Sequence, residues 1–181
     1  MRRVMCVIEP SPVVETRRLA LRSPQAQDIS RLTALANDAD IARMTLRMPH
    51  PFSTADAGAF VLAVAGQDPA RARTFLIDHE DHGPVGVIGL FEDGDIGPEV
   101  GYWIGRPYWG RGYATEALEA GVVWASRNWR RRALVAGHFD DNPASGRVLE
   151  KAGFLYTGEV RKGFSRARNG EARTRRMVWL A

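Results

Sequence analysis

Six consecutive residues, Trp109-Gly110-Arg111-Gly112-Tyr113-Ala114, set two glycines, a cation and a small residue directly ahead of a segment with helical periodicity. A strand, a tight glycine loop and a helix that starts at once leave unpaired backbone N–H groups clustered at the positive end of a helix dipole. Such a cluster binds phosphate. Gly110 and Gly112 allow turn conformations closed to other residues and let an anion approach the main chain, while Ala114 keeps the first helical turn small and Arg111 adds charge. A Walker loop is excluded, because it ends Gly-Lys-Ser/Thr and this loop ends Gly112-Tyr113-Ala114. A dinucleotide fingerprint fits poorly: Thr115 stands where a third small residue belongs, and no acidic residue follows at about twenty positions on. From the loop alone, a turn that only lets the helix pack remains the alternative.

The elements that would position this loop are legible as alternating strand and helix patterns, without internal repeats. Residues 1–15, with Pro10 and Pro12, read as an irregular leader, and residues 17–22 as a short strand with Leu19 and Leu21 on one face. Helical spacing runs over 26–37, Asp38 can cap a short helix reaching about Met44, and Ser53-Thr54-Ala55-Asp56 has the side chains of an N-cap box for a third helix. Residues 74–78 and 85–91 flank a turn-rich stretch that suits an antiparallel hairpin. A turn over 92–97 leads to a strand over 98–105, on which Val100, Tyr102 and Ile104 alternate with Glu99, Gly101 and Trp103. Residues 113–128 carry an apolar helical stripe, and 133–139 read as a buried strand. Asn142-Pro143 opens a further helix that Gly153 closes, and 154–156 and 173–180 complete the sheet.

With 181 residues, 45% hydrophobic and 25% charged, the chain has the size and composition of one globular domain, expected over 16–181. Val4 to Ile8 is too short for a signal-peptide core or a membrane span, so a cytoplasmic location without membrane association is expected. A single cysteine, Cys6, and scattered histidines make neither a disulfide nor a metal site. Charge is uneven: residues 1–105 hold 10 Lys/Arg against 14 Asp/Glu, and 106–181 hold 15 against 7. The basic second half suits a phosphate-bearing ligand, with a solvated arginine-rich face as the plain alternative; stable nucleic-acid binding is not expected.

The loop resembles the Arg/Gln-x-x-Gly-x-Gly/Ala motif of the GNAT superfamily of N-acetyltransferases, departing at its first position, Trp109. The string Gly101-Tyr102-Trp103-Ile104 through Glu116-Ala117 looks like the ribosomal-protein-alanine N-acetyltransferase branch, and Asn142-Pro143-Ala144-Ser145 with Leu149 to Phe154 resembles a second family motif. The resemblance implies a GNAT fold of mixed α/β class: a mostly antiparallel mixed sheet of about seven strands, splayed at a cofactor slot, with helices on both faces. It implies acetyl-CoA as cosubstrate and no metal. Trp103 and Ile104 would hold the pantetheine amides through their backbone, the N–H groups of Arg111, Gly112, Tyr113, Ala114 and Thr115 the pyrophosphate, and Asn142 the region near the sulfur.

Attack on a thioester needs an unprotonated amine, an oxyanion donor and a proton for the leaving thiolate. Glu99, on the strand that holds the acetyl end in the family, is the candidate base; a strand-edge glutamate paired with an arginine explains it equally. The family's acidic tyrosine is replaced here by Leu149; the resemblance implies the Ser145 hydroxyl as candidate acid in its place, with a local bond to the helix backbone as its alternative. The oxyanion donor would be a backbone N–H near Trp103 or Ile104. Tyr102, Trp103, Phe52 and the Met44 to Pro49 stretch form either an acceptor pocket or plain core. The expected partner is an amine acceptor, a protein N-terminus or a small amine such as a polyamine or aminoglycoside, bound by a monomer or homodimer. A non-catalytic acyl-CoA sensor also remains open, because of Leu149.

Overall fold

The computed structural model describes residues 13–92 and 97–181. Most of the expected leader and most of the turn over 92–97 therefore lie outside the described residues. The end of the leader is ordered: Val14–Glu15 forms strand β1 and pairs antiparallel with β2, Leu19–Arg22. This short strand makes the sheet eight-stranded rather than about seven.

A 3-10 turn over Ala26–Asp28 precedes α1, Ile29–Ala36, so the helix expected from residue 26 begins with a tighter turn. Helix α2, Ala39–Ala42, is capped by Asp38, whose carboxylate accepts the N–H groups of Asp40 and Ile41. Helix α3, Thr54–Ala65, starts on a reciprocal Ser53/Asp56 capping box, which satisfies two of its free donors. Strands β3, Ala72–His79, β4, Gly83–Glu92, and β5, Pro98–Ile104, form an antiparallel meander. Helix α4, Tyr113–Asn128, leads to β6, Ala133–Phe139, and α5, Pro143–Lys151, leads to β7, Leu155–Ser165, and β8, Gly170–Leu180.

The strand order is β1-β2-β3-β4-β5-β6-β8-β7, antiparallel throughout except between β5 and β6. Period-two alternation sends side chains to opposite faces. Leu21, Phe75, Ile88, Leu90, Val100 and Ile104 meet Ala117, Leu118 and Val122 of α4 and Leu149 of α5 in the larger core. On the other face Leu76, Val87 and Trp103 pack against Leu32 of α1 and against Ala57 and Phe60 of α3. Each fully buried aliphatic side chain contributes about 1.5–3 kcal/mol.

The last hairpin is longer than the sequence suggests. β7 is exposed along nearly its whole length and has no apolar face to announce it; its backbone is held by the ladder to β8. His138 is buried on β6. Its Nδ1 donates to the Phe139 carbonyl at 2.8 Å, and its Nε2 lies 2.9 Å from Tyr156 Oη.

Candidate functional site

β5 and β6 run parallel but share one registered pair, Glu99 opposite Val135, and then part. A parallel ladder would otherwise continue with evenly spaced bonds. The parting opens a cleft of about 1700 Å³ that reaches from the glycine loop, past β5, to the segment before α3.

At one end the loop has the geometry its glycines allow. Gly110 has φ 74° and Gly112 φ 79°, both left-handed, and Gly112 stands at the N-cap of α4 without any side-chain cap. The first N–H groups of α4 therefore meet a capping position that offers them no acceptor. The loop is braced from behind by the turn after β1. Arg18 pairs with Glu116 at 2.7 Å and donates to the Arg111 carbonyl at 3.1 Å, and Thr16 Oγ1 donates to Glu116 at 2.7 Å. Burial acts to raise the Glu116 carboxyl, but bonds from Thr16 and Arg18 outweigh it and hold it below its ordinary value. Trp109, the departure from the family motif, donates its indole N–H to the Ile104 carbonyl at 2.6 Å and so ties the loop back to β5.

At the other end stand the candidate chemical groups. Glu99 pairs with Arg176 at 3.0 Å. Arg176 sits on β8 opposite Gly137, where a Cβ would meet Thr174 Cγ2 at 2.5 Å and the Arg175 carbonyl at 3.3 Å, so the glycine lets β8 pack this closely on β6. The arginine partner considered for Glu99 is therefore real, and it also fixes the carboxylate at the parting of the strands.

Asn142 caps α5 by accepting the Ser145 N–H at 3.1 Å, which fixes the turn that carries Ser145. The Ser145 hydroxyl lies 3.0 Å from Tyr102 Oη, a contact across the cleft between α5 and β5 rather than a bond to its own helix. Burial pushes the Tyr102 phenol up to about 12, a hydrogen bond from Ser145 notwithstanding, so it stays neutral and able to donate. Leu149, where the family's tyrosine would be, is fully buried in the core. The sequence marks Tyr102 only by its place on the Val100/Ile104 face of β5, and nothing in it aligns that face with Ser145.

The structure brings Glu99, Trp103, Ile104, Gly112, Tyr113, Ala114, Thr115, Asn142 and Ser145 to the walls of one cleft. Arg111 does not line it, although it lies within the braced loop, with its guanidinium 5.7 Å from the Tyr108 ring centroid. Phe52, Tyr102, Trp103 and the residues from Met44 to Pro49 also line the cleft, and Phe52 and Trp103 pack partly against the smaller core. Pocket wall and core edge are thus the same side chains.

Residues 18–155 match the family description "Acetyltransferase (GNAT) domain". The chain belongs to the GNAT acetyltransferase family. Its cosubstrate is accordingly acetyl-CoA, and the left-handed glycines, uncapped helix start and parted strands fit that molecule's pyrophosphate and extended arm. This GNAT enzyme is 27% identical over 154 residues to the uncharacterized N-acetyltransferase YoaA of Bacillus subtilis (83% of this chain, 87% of that protein). It is 30% identical over 92 residues to the ribosomal-protein-serine acetyltransferase of Escherichia coli, covering 48% of this chain. That match spans about half of the relative (49%), as does a match to the uncharacterized protein YkkB of Bacillus subtilis (46%). The crystal structure of a GNAT-family acetyltransferase from Bacillus anthracis superposes with a TM-score of 0.81 at 22% identity, covering 93% of this chain and 98% of that one. No helix among the described residues is long and apolar enough to cross a membrane.

Proposed function

We propose that the protein transfers the acetyl group of acetyl-CoA to an α-amine at a protein N-terminus by direct attack on the thioester. The observation that carries this reading is the single β5–β6 pair at Glu99, which puts a carboxylate at the parting of the strands while Tyr102 and Ser145 face each other across the same opening. Direct transfer needs a base on one side of the reacting carbonyl and an acid on the other.

The N–H groups from Arg111 to Thr115 hold the pyrophosphate, and the backbone of Trp103 and Ile104 faces the pantetheine arm. Glu99 takes a proton from the acceptor amine, directly or through one water, as nitrogen bonds to the carbonyl carbon. The carbon–sulfur bond breaks, and the Ser145 hydroxyl, oriented by Tyr102, passes the sulfur a proton that solvent replaces. A free α-amine has a pKa near ~7.7–8 and a lysine amine near ~10.4, so a single carboxylate suffices for the former at neutral pH. A thiol pKa near ~8.5 makes the departing sulfur undemanding of acid. Ser145→Ala is therefore expected to slow turnover only several-fold, and Tyr102→Phe by no more than that, with acetyl-CoA affinity retained. A loss above a hundredfold in either variant would show the acid step to be controlling.

The floor of the acceptor side carries two glycines. Gly89 and Gly101 face each other across β4 and β5; the Phe91 ring already fills the place of a Cβ at Gly89, whereas a Cβ at Gly101 would meet nothing within 4 Å. Gly101→Val is expected to keep the melting temperature and acetyl-CoA affinity while raising KM for the peptide at least tenfold. Unchanged peptide kinetics would place the acceptor elsewhere. The reading as a whole is tested by thiol release with a panel of peptides and small amines: release with peptides carrying a free N-terminus supports it, and release with polyamines or aminoglycosides alone refutes the acceptor assignment. Acetyl-CoA binding without release from any amine favours the sensor.

A further inference from the structure

The acceptor side of the cleft has a charge pattern that selects among amines. Among the described residues its acidic side chains are already engaged: Glu99 with Arg176, Glu92 with Arg131, Asp141 with Arg168, Asp40 with Arg106, and Asp56 in the α3 capping box. The cations are not matched in the same way. Arg47 makes no ion pair among the described residues; it is exposed, with its guanidinium 5.9 Å from the centroid of the Phe91 ring. Phe91 is the direct cross-strand neighbour of Glu99. Side chains opposite each other on adjacent antiparallel strands share a face with Cβ atoms about 4.5–5.5 Å apart. Arg47 thus covers the wall beside the carboxylate proposed to receive the amine's proton.

More positive charge is then brought to the same rim by main-chain bonds. Arg166 donates its N–H to the Leu46 carbonyl at 3.0 Å, Ser165 Oγ donates to the Thr45 carbonyl at 2.9 Å, and Leu46 packs on Gly163. The segment that holds Arg47 is therefore fastened to the end of β7 and the turn after it, where Arg161, Lys162 and Arg166 also line the cleft. Arg161 and Lys162 have only exposed partners, Glu159 and Glu171, which bind them weakly. Holding like charges together opposes folding unless something negative joins them. A polycationic amine would meet repulsion at this rim, whereas an amine with a nearby carboxylate would complete it.

We infer that the acceptor is an acidic N-terminal segment, whose carboxylate within the first two or three residues is received by Arg47 while its α-amine lies at Glu99. This rests on the proposed transfer to a protein N-terminus. The apolar remainder of the wall, Met44, Met48, Phe52 and Phe60, leaves room for an uncharged first side chain. Specificity of this kind depends on the repulsion of wrong acceptors as much as on the attraction of the right one.

Three hexapeptides identical except for Asp, Asn or Lys at the second position test it. The wild type is expected to turn over the Asp peptide with a kcat/KM about tenfold above the Asn peptide, and the Lys peptide below both. Arg47→Gln should bring the Asp-to-Asn ratio close to one, and Arg47→Glu should reverse the order in favour of Lys. Equal use of the three peptides by the wild type, or an Asp preference that survives both substitutions, overturns the inference while leaving the transferase reading intact. Should no peptide release thiol, the transferase reading fails. The inference is then decided by calorimetric affinities of the same peptides for the CoA-bound protein: an Asp preference lost in Arg47→Gln sustains it, and equal or absent binding sinks it.

Discussion

Gly112→Asp is expected to weaken acetyl-CoA binding by at least two orders of magnitude in a calorimetric titration, with only a small change in melting temperature. Two effects combine in this substitution and can be separated. Gly112 has φ 79°, where a residue with a Cβ costs about 1–2 kcal/mol, although Asp tolerates the region better than most. The larger effect is charge: the carboxylate stands at the N-cap of α4, where it accepts the N–H groups and neutralises the positive end of the helix that a phosphate would use. Space is not the issue, since the nearest atom to an added Cβ is Arg18 Nη2 at 3.5 Å. Gly112→Ala supplies the control, because it carries the backbone strain without the charge and should weaken binding far less. Unaltered affinity in Gly112→Asp would remove the phosphate site from this loop.

Glu99→Gln is expected to lower kcat/KM by about 10²–10⁴-fold, the range of general-base catalysis, and to flatten the rise of rate with pH. In the wild type the carboxylate and the loss of the acceptor amine's proton both contribute to the rate; in the variant only the amine's titration remains. The substitution also touches stability. Arg176 is 8% exposed, and leaving a buried cation unpaired costs about 3–5 kcal/mol, less here because Gln keeps an acceptor oxygen. Thermal denaturation and acetyl-CoA affinity therefore have to accompany the kinetics: a rate loss with retained affinity belongs to the chemistry, and a loss that follows melting belongs to the ion pair. A pH profile identical to the wild type would leave Glu99 as a purely structural partner of Arg176.

The elements framing the cofactor loop were legible because each carries a local signal. The α4 stripe returns every three to four residues, Asn142-Pro143 and Gly153 punctuate α5, and the Ser53/Asp56 box marks α3; all three depend on neighbours within a turn or two. β7 lacked such a signal. Its burial pattern is exposed almost end to end, so pairing to β8 rather than an apolar face makes it a strand. The two-residue β1 was invisible for the opposite reason, being too short to display a period.

The same contrast runs through the site. Residue order alone determined the glycine loop, its helix and the class of ligand they suit, because the left-handed turns, the small side chain and the helix start are contiguous and their physics is local. Residue order also nominated Glu99 and Ser145, through resemblance. Only the tertiary structure decided what stands beside them: Arg176 is 77 residues from Glu99, Tyr102 is 43 from Ser145, and Arg47 reaches Phe91 from another layer. Those encounters depend on which strands part and which face each side chain takes, and sheet pairing sets both over distances at which local propensity carries no information.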